Sequence, residues 1–243
     1  VVYSLERDGT YKEDIPKKTA AGTYTVYYMV QGDANHSDTA LGQLTVKIGK
    51  NTVTKPIISL SQYTFIYNKS PQKPDITVYD DNRREIPNDE YTVTMEGTNG
   101  NNGMVNVDTY TVTITTPDTS NYVINGDGTA NVQTFKILPA DQEAISITGI
   151  KAQVYYGDPI QLDTTGGTGN GTVTWKIEGS TDTTLTQTGL LTVKDVNTPI
   201  TVTATRSRGG NYGDVSATWV FTAGKKPVTP VVTIKPKNYD GNT

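Results

Sequence analysis

The chain contains no cysteine. Disulfides, thiolate metal sites and a cysteine nucleophile are thereby excluded. There is one histidine, His36, so any Ser-His-Asp triad would have to use it. No nucleophile-elbow sequence accompanies it. No apolar run approaches the ~18 residues of a membrane helix, so no membrane insertion is expected of this segment. Positive charge is also short: 21 Lys and Arg against 25 Asp and Glu give a net charge of −4 and a pI near 5.0. The basic residues are scattered rather than clustered. Nucleic acid is therefore not an expected partner, because its binding rests on Lys and Arg contacts to phosphate. The glycine-rich stretch 166–171 leads into an expected strand, so it offers no helix N-terminus to an anion.

What is present favours strands. Roughly one residue in six is Thr, and Thr, Val, Ile and Tyr suit a pleated, half-buried surface. Gly, Asn and Asp supply turns between short runs. No stretch holds an apolar 3.6-residue period over ten residues. Residues 84–90 allow one helical turn at most, since Pro87 interrupts them.

An internal repeat organises the chain. Tyr24-Thr25-Val26 is followed twelve residues after Tyr24 by His36, which stands after Asn35. Tyr110-Thr111-Val112 is followed at the same distance by Tyr122 after Asn121, and Ile200-Thr201-Val202 by Tyr212 after Asn211. A second landmark is a tyrosine before a turn pair: Tyr67-Asn68-Lys69, Tyr156-Gly157-Asp158 and Tyr239-Asp240-Gly241. Residues 53–60 resemble residues 228–234. The period of about 85–90 residues is that of a small β-domain, too long for a solenoid repeat.

Residues 1–49 are expected to be the C-terminal part of a truncated β repeat, with strands at 1–5, 24–30 and 41–48. The chain opens inside the first of these, so an export signal is expected to lie outside it. Residues 50–139 are expected to form a complete repeat with strands at 57–60, 64–67, 76–79, 91–95, 110–115 and 132–138. Residues 140–225 form another, with strands at 154–156, 173–177, 190–193, 200–205 and 218–222. Residues 226–243 start a further repeat. They are expected to add to an exposed edge of the first unit of another molecule. Trp175 and Trp219 are read as core, opposite each other across a sandwich, with a sugar-stacking surface as the alternative.

Each candidate for chemistry is set against its sister repeats. His36 stands where Tyr122 and Tyr212 stand, and a catalytic base does not exchange with tyrosine, so it reads as an aromatic lid on a turn. Asp118, Asn121, Asn125 and Asp127 could offer oxygen to Ca²⁺, but their spacing is not that of an EF-hand loop. Asp80-Asp81 with Asp89-Glu90 would need a cleft to act as a glycosidase pair. Lys47 and Lys136 fall on the wet face by alternation, which disfavours a Lys–Asn cross-link. Catalytic residues, metal ligands and cofactors are therefore expected to be none.

Residues 173–204 carry Val-Thr-Trp-Lys-Ile-Glu, then Thr186-Gln187-Thr188-Gly189-Leu190-Leu191-Thr192-Val193, then Ile200-Thr201-Val202-Thr203-Ala204. This run resembles the group 2 bacterial immunoglobulin-like repeat. It departs from the pattern at Asn197-Thr198-Pro199, where that family has a glycine turn. Residues 1–50, with Ala21-Gly22-Thr23-Tyr24, look like related repeats of large bacterial cell-surface proteins. Tyr239-Asp240-Gly241-Asn242-Thr243 is similar to the start of the Tyr-Asp-Gly type. The resemblance implies an exported, wall- or surface-attached bacterial protein.

The expectation is an all-β chain of tandem small Ig-like β-sandwich (or β-grasp-like) domains in an elongated array. Its expected role is a non-catalytic adhesive or stalk spacer at the bacterial cell surface. Prolines in the short joints 48–56, 138–141 and 224–230 would make it semi-rigid. The alternative is a carbohydrate-binding module beside an enzyme elsewhere in the full-length protein, using Tyr27, Tyr28, Tyr155 and Tyr156. Expected partners are other repeats of the chain and a host or cell-surface protein or glycan. The varying loops 99–103, 166–171 and 206–210 are the places expected to bind.

Overall fold

The computed structural model describes residues 1–100, 103–125, 129–239 and 241. The loop residues Asn101 and Asn102, the turn residues Gly126, Asp127 and Gly128, and Asp240, Asn242 and Thr243 lie outside the described residues. Among the described residues the fold is all-β, with one 3-10 turn at Asn88–Glu90. That turn starts directly after Pro87, so the proline leads it in rather than interrupting it. The chain divides into two compact units, Val1–Leu138 and Pro139–Thr243.

The first unit begins with a three-stranded antiparallel meander: β1 (Val2–Ser4), β2 (Gly22–Met29) and β3 (Gly42–Ile48). Next come β4 (Asn51–Val53), β5 (Ile57–Leu60), β6 (Thr64–Ile66) and β7 (Ile76–Tyr79). They are followed by β8 (Thr92–Gly97), β9 (Asp108–Thr115), β10 (Tyr122–Ile124) and β11 (Val132–Leu138). Sheet β6-β11-β9-β8 faces the pairs β5-β7 and β4-β10. Between them lies a core of Val53, Ile58, Leu60, Val78, Ile86 and Tyr91 against Tyr110, Val112, Ile114, Phe135 and Ile137.

The second unit has β12 (Ile145–Thr148), β13 (Pro159–Gln161), β14 (Asp163–Gly166) and β15 (Val173–Glu178). It continues with β16 (Thr184–Leu185), β17 (Leu190–Thr192), β18 (Pro199–Arg206) and β19 (Val215–Thr222). Sheet β15-β18-β19 packs with β12-β14 and β13-β17-β16 around Leu162, Leu191, Ile200, Val202 and Ala204. Both sandwiches are Ig-like.

The repeat is visible in register. Tyr24 faces Val46, Tyr110 faces Phe135 and Ile200 faces Phe221, each pair joining the landmark strand to the closing strand. The two landmark tyrosines each make the same local hydrogen bond. The Tyr24 hydroxyl donates to the Ala20 carbonyl and the Tyr110 hydroxyl to Asn106, both at 2.8 Å and both four residues upstream. A tyrosine tied back to its upstream backbone is a recurring corner of Ig-like sandwiches.

Several details differ from expectation. Trp175 and Trp219 do not oppose each other. Both sit on sheet β15-β18-β19, Trp175 facing Ala204 and Trp219 facing Val202. Trp175 is buried, while Trp219 is half-buried and stacks on Phe221 at 4.4 Å. Residues 154–156 form no strand. Tyr155 makes one parallel bridge to Gly224, and the chain then turns at Gly157 with φ +80°. At the departure from the bacterial Ig-like pattern, Asn197 itself takes φ +63°. Asn is the side chain that tolerates the left-handed region best after Gly, so the turn keeps its geometry without the glycine.

Among the described residues no sheet packs over the meander β1–β2–β3; residues 15–19 line its apolar face, where Lys18 Nζ stands 5.8 Å from the Tyr24 ring. Its alternation is present in sequence, yet Leu44 is 46% and Val46 is 40% exposed. The positions equivalent to Val46 and Ile48 in β11 are Phe135 and Ile137, each 1% exposed.

Candidate functional site

Two places draw several polar or apolar side chains together in the first unit. One is the link between residues 1–49 and the segment that follows. Asn121 uses every polar group it has there. Its backbone N–H donates to Glu90 Oε2 at 2.6 Å and its side-chain amide to Glu90 Oε1 at 2.5 Å. Its side-chain carbonyl accepts from the Ala21 N–H at 2.6 Å, and its backbone carbonyl from the Asn51 N–H at 2.8 Å. Lys50 Nζ donates to the Asp118 carbonyl alongside. Glu90 is thereby held below the ordinary carboxylate range, chiefly by the Asn121 side-chain amide, then by Ser120 and the Asn121 backbone.

These bonds explain the Asn-Tyr landmark. In the first unit the lead-in strand β4 runs parallel to β10, with Asn51 beside Tyr122. In the second, Ala140 bridges Tyr212 in parallel, and the Ala140 N–H donates to the Asn211 carbonyl at 3.0 Å. The landmark therefore fastens the segment that leads into each sandwich. Tyr122 is a half-buried strand residue rather than a lid. His36, its counterpart, lies on an exposed turn with Nδ1 2.7 Å from Asp33 Oδ1. Asp33 is held below the ordinary carboxylate range by the Asn35 N–H first and by His36 second.

The other place is an apolar groove of about 580 Å³ on the open meander, walled by Tyr3, Tyr24, Val26, Leu44, Val46 and Ile48. Ile15 stands at its rim, 68% exposed.

The acidic candidates serve the frame. Asp80 is buried, and its carboxylate accepts from the Asn82 and Arg84 N–H groups at 2.9 Å. Asp81 accepts from the Thr54 and Lys55 N–H groups and from the Thr54 hydroxyl. It is held below the ordinary range first by Lys55 N–H. Glu90 is committed to Asn121. None of these is left to act on a substrate as an acid or base pair. Asn121, named as a Ca²⁺ candidate, faces Ala21 and Glu90, and Asp127 lies outside the described residues. Among the described residues no three His, Asp or Glu side chains converge as a metal site. Lys136 is exposed between buried Phe135 and Ile137, and Lys47 is exposed too.

In the second unit the loops 166–171 and 206–210 come together. The Ser207 N–H donates to the Thr172 carbonyl and Arg206 Nη1 to Gly171. Gln142, buried between them, donates to the Ser207 and Gly213 carbonyls and accepts from the Gly169 N–H. Gly209 must be glycine, because a Cβ there would stand 2.3 Å from the Gly171 nitrogen. Two of the loops expected to bind are thus bonded to one another. Sequence reasoning missed Gln142, which lies in a polar run with no periodic signal. Ser180, Thr183 and Asp195 form a further closed set: the Ser180 hydroxyl donates to Asp195, and Thr183 Oγ1 accepts from the Lys194 and Asp195 N–H groups.

Of the four tyrosines expected to stack on sugar, Tyr27 and Tyr28 lie in the first unit and Tyr155 and Tyr156 in the second. Tyr28 covers Gly42, where a Cβ would stand 2.4 Å from its Cζ. Tyr27 is half-buried and Tyr155 packs beside Gly224. Tyr156 is 51% exposed.

No family model and no curated protein matches the chain. Among solved structures it is similar to mouse cadherin-23 EC22-24, at 12% identity and a TM-score of 0.26, over 84% of this chain and 74% of that one. It is similar to mouse protocadherin-24 EC1-3 at 11% identity and a TM-score of 0.26, over 92% and 86%. Likenesses this weak carry no argument about role. Among the described residues no helix is long and apolar enough to cross a membrane.

Proposed function

We propose that the chain is a non-catalytic segment of a bacterial surface protein, outside the cell, acting as an adhesive or spacer module built from successive β repeats. The observation that carries this reading is the shared lead-in bond, Asn51 N–H to Asn121 and Ala140 N–H to Asn211, which fastens the lead-in segment of each sandwich in the same way. The commitment of Asp80, Asp81, Glu90, Ser180 and His36 to turns and links supports it further. Small-angle scattering tests the spacer: an extended particle is expected, and a compact profile refutes it. A glycan array tests adhesion through sugar. With Tyr27, Tyr28 and Tyr155 half-covered or packed on the backbone, no glycan hits are expected, and a specific hit lost in Tyr156→Ala would favour the carbohydrate-binding alternative.

A further inference from the structure

Natural sheets guard their edge strands, because a row of unpaired N–H and C=O groups invites another strand. Three edges in these sandwiches are closed by a local group. On β6 the Gln62 side-chain amide donates to the Thr64 carbonyl. On β7 the Ile86 N–H donates to the Val78 carbonyl. On β15 the Gln187 side chain donates to the Trp175 carbonyl and accepts from the Trp175 N–H, both at 3.0 Å. Strand β8, the edge of sheet β6-β11-β9-β8, is different. Its sequence, Thr-Val-Thr-Met-Glu-Gly, has no Lys, Arg or Pro. The Thr98 N–H donates to Thr109, so Thr92, Thr94 and Glu96, which share its parity, turn their backbone groups toward β9. Val93 and Met95 turn theirs away, and among the described residues nothing meets them. Gly97 shares that parity, but its carbonyl is taken by the Gly100 N–H at 3.1 Å. The Val93 and Met95 side chains lie on the core face, opposite the fully buried Ile114 and Val112. Val93 is nonetheless 38% exposed, and a cleft of about 400 Å³ opens beside it between Val93, Met95, Ile76 and Tyr91.

We infer that β8 is a self-association edge: it pairs antiparallel with β8 of a second copy across a two-fold axis through Thr94. The occupant and the register follow from the strand itself. The free groups sit on two residues, two apart, and a two-fold axis between them matches each to the other. Val93 of each copy then exchanges both backbone bonds with Met95 of the other, which satisfies all four open residues. On the core face the same register sets Val93 against Met95 of the second copy and closes the cleft of each sandwich. Shifting the axis to Met95 would instead set Val93 against Gly97, which offers no side chain and whose carbonyl is already bonded. On the outer face Thr94 meets Thr94, and Glu96 meets Thr92 rather than the other Glu96, so no like charges stand opposite. The two four-stranded sheets become one of eight strands. Two strands of this length bury little surface, which makes the contact a weak one that depends on local concentration.

The test is sedimentation of the full chain over a concentration series, with hydrogen exchange read along β8. The mass is expected to rise toward that of two chains. Once about nine chains in ten are paired, the Val93 and Met95 amides should exchange about tenfold more slowly, while those of Thr94 and Glu96, already bonded to β9, stay unchanged. Val93→Pro removes a donor that takes no part in the pairing with β9. It is expected to hold the chain at the mass of one copy, with exchange at β9 showing that the fold is intact. The register is read by cross-linking, since the chain has no cysteine of its own. Thr94→Cys is expected to form a disulfide dimer on oxidation, because facing residues of a pair without backbone bonds stand about 4.5 Å apart at Cα, within reach of a disulfide. Glu96→Cys alone is expected to stay uncoupled and to couple when mixed with Thr92→Cys. A single-chain mass at every concentration overturns the inference. So does association that survives Val93→Pro, which would place the contact on another surface, and so does Glu96→Cys coupling to itself as readily as Thr94→Cys.

Discussion

The meander β1–β2–β3 and its counterpart β8–β9–β11 share strand order, antiparallel register and the tyrosine tied four residues back. They differ in what lies over them. Val46 is 40% exposed where Phe135 is 1%, and β3 is a free edge where β11 carries β6 in parallel. Register and the corner bond are thus properties of the meander itself, set by strands close in sequence. Burial is a property of the second layer, which arrives from the lead-in side of each repeat. An alternating pattern reports which face is meant to be covered, and the cover has to be found separately.

The largest effect that separates the two meanders is expected from truncating the paired positions. Phe135→Ala should cost about 3–5 kcal/mol, since it removes a ring stacked on Tyr110 at 5.1 Å in a closed core. Val46→Ala should cost less than about 1 kcal/mol, because little apolar contact is lost on an open face. Denaturant unfolding followed by hydrogen exchange at β9 and β2 separates the two; equal losses would break the comparison.

Next in size is the link. Asn121→Ala removes the acceptor of Ala21 and one donor to Glu90 but leaves the backbone bond to Asn51. A local loss of about 1–2 kcal/mol is expected, read as faster amide exchange at Ala21 with Asn51–Val53 nearly unchanged. Joint loosening of both would mean that the side chain also holds β4.

The corner bonds come third. Tyr110→Phe removes a bond made by a buried tyrosine and should cost about 1 kcal/mol, against about 0.5 kcal/mol or less for the exposed bond lost in Tyr24→Phe. Thermal melts of the two variants give the ratio.

The smallest effect is expected from acid. Asp33, Asp81 and Glu90 all have folded pKa values below their ordinary ones. Their stabilisation is complete above the ordinary carboxylate value of about 4 and is lost as pH falls through the depressed folded values. Protection of Thr54 and Lys55 amides, bonded to Asp81, should therefore hold from neutral pH to about 5 and decline below about 4. Asp81→Asn should flatten that decline, and an unchanged profile would remove Asp81 as its cause.

Strands with two or more β-branched or aromatic residues in alternation were legible from sequence: β2, β5, β7, β9, β11 and β18 carry their own signal. Several of the polar and very short ones were not. Asn51-Thr52-Val53, Pro159-Ile160-Gln161 and Thr184-Leu185 are too brief to show a period, and they are strands only because a partner edge stands beside them. Tyr122-Val123-Ile124 is apolar enough, but it was read as part of a turn because Asn121 precedes it. The landmark spacing was legible and its meaning was not, since the bond from Asn121 reaches seventy residues back to Asn51. The exposure of Leu44 and Val46 could not be read from alternation at all. It depends on a layer that those residues do not encode.

The four bonds of Asn121 also bear on how the molecule ages. Deamidation of asparagine begins when the next backbone nitrogen swings onto the side-chain carbonyl carbon. At Asn121 that nitrogen belongs to Tyr122 and is bonded to Ser120 Oγ at 2.9 Å, while the amide itself is held by Glu90. At Asn35, its counterpart on an exposed turn, the next nitrogen is that of His36 and donates to the Asp33 carbonyl at 3.3 Å, but the side chain has no bond among those described. Conversion at Asn121 would set a new carboxylate against that of Glu90 and part the two segments. The covered repeat therefore holds both the amide and the attacking nitrogen at its seam, while the open one holds the nitrogen alone.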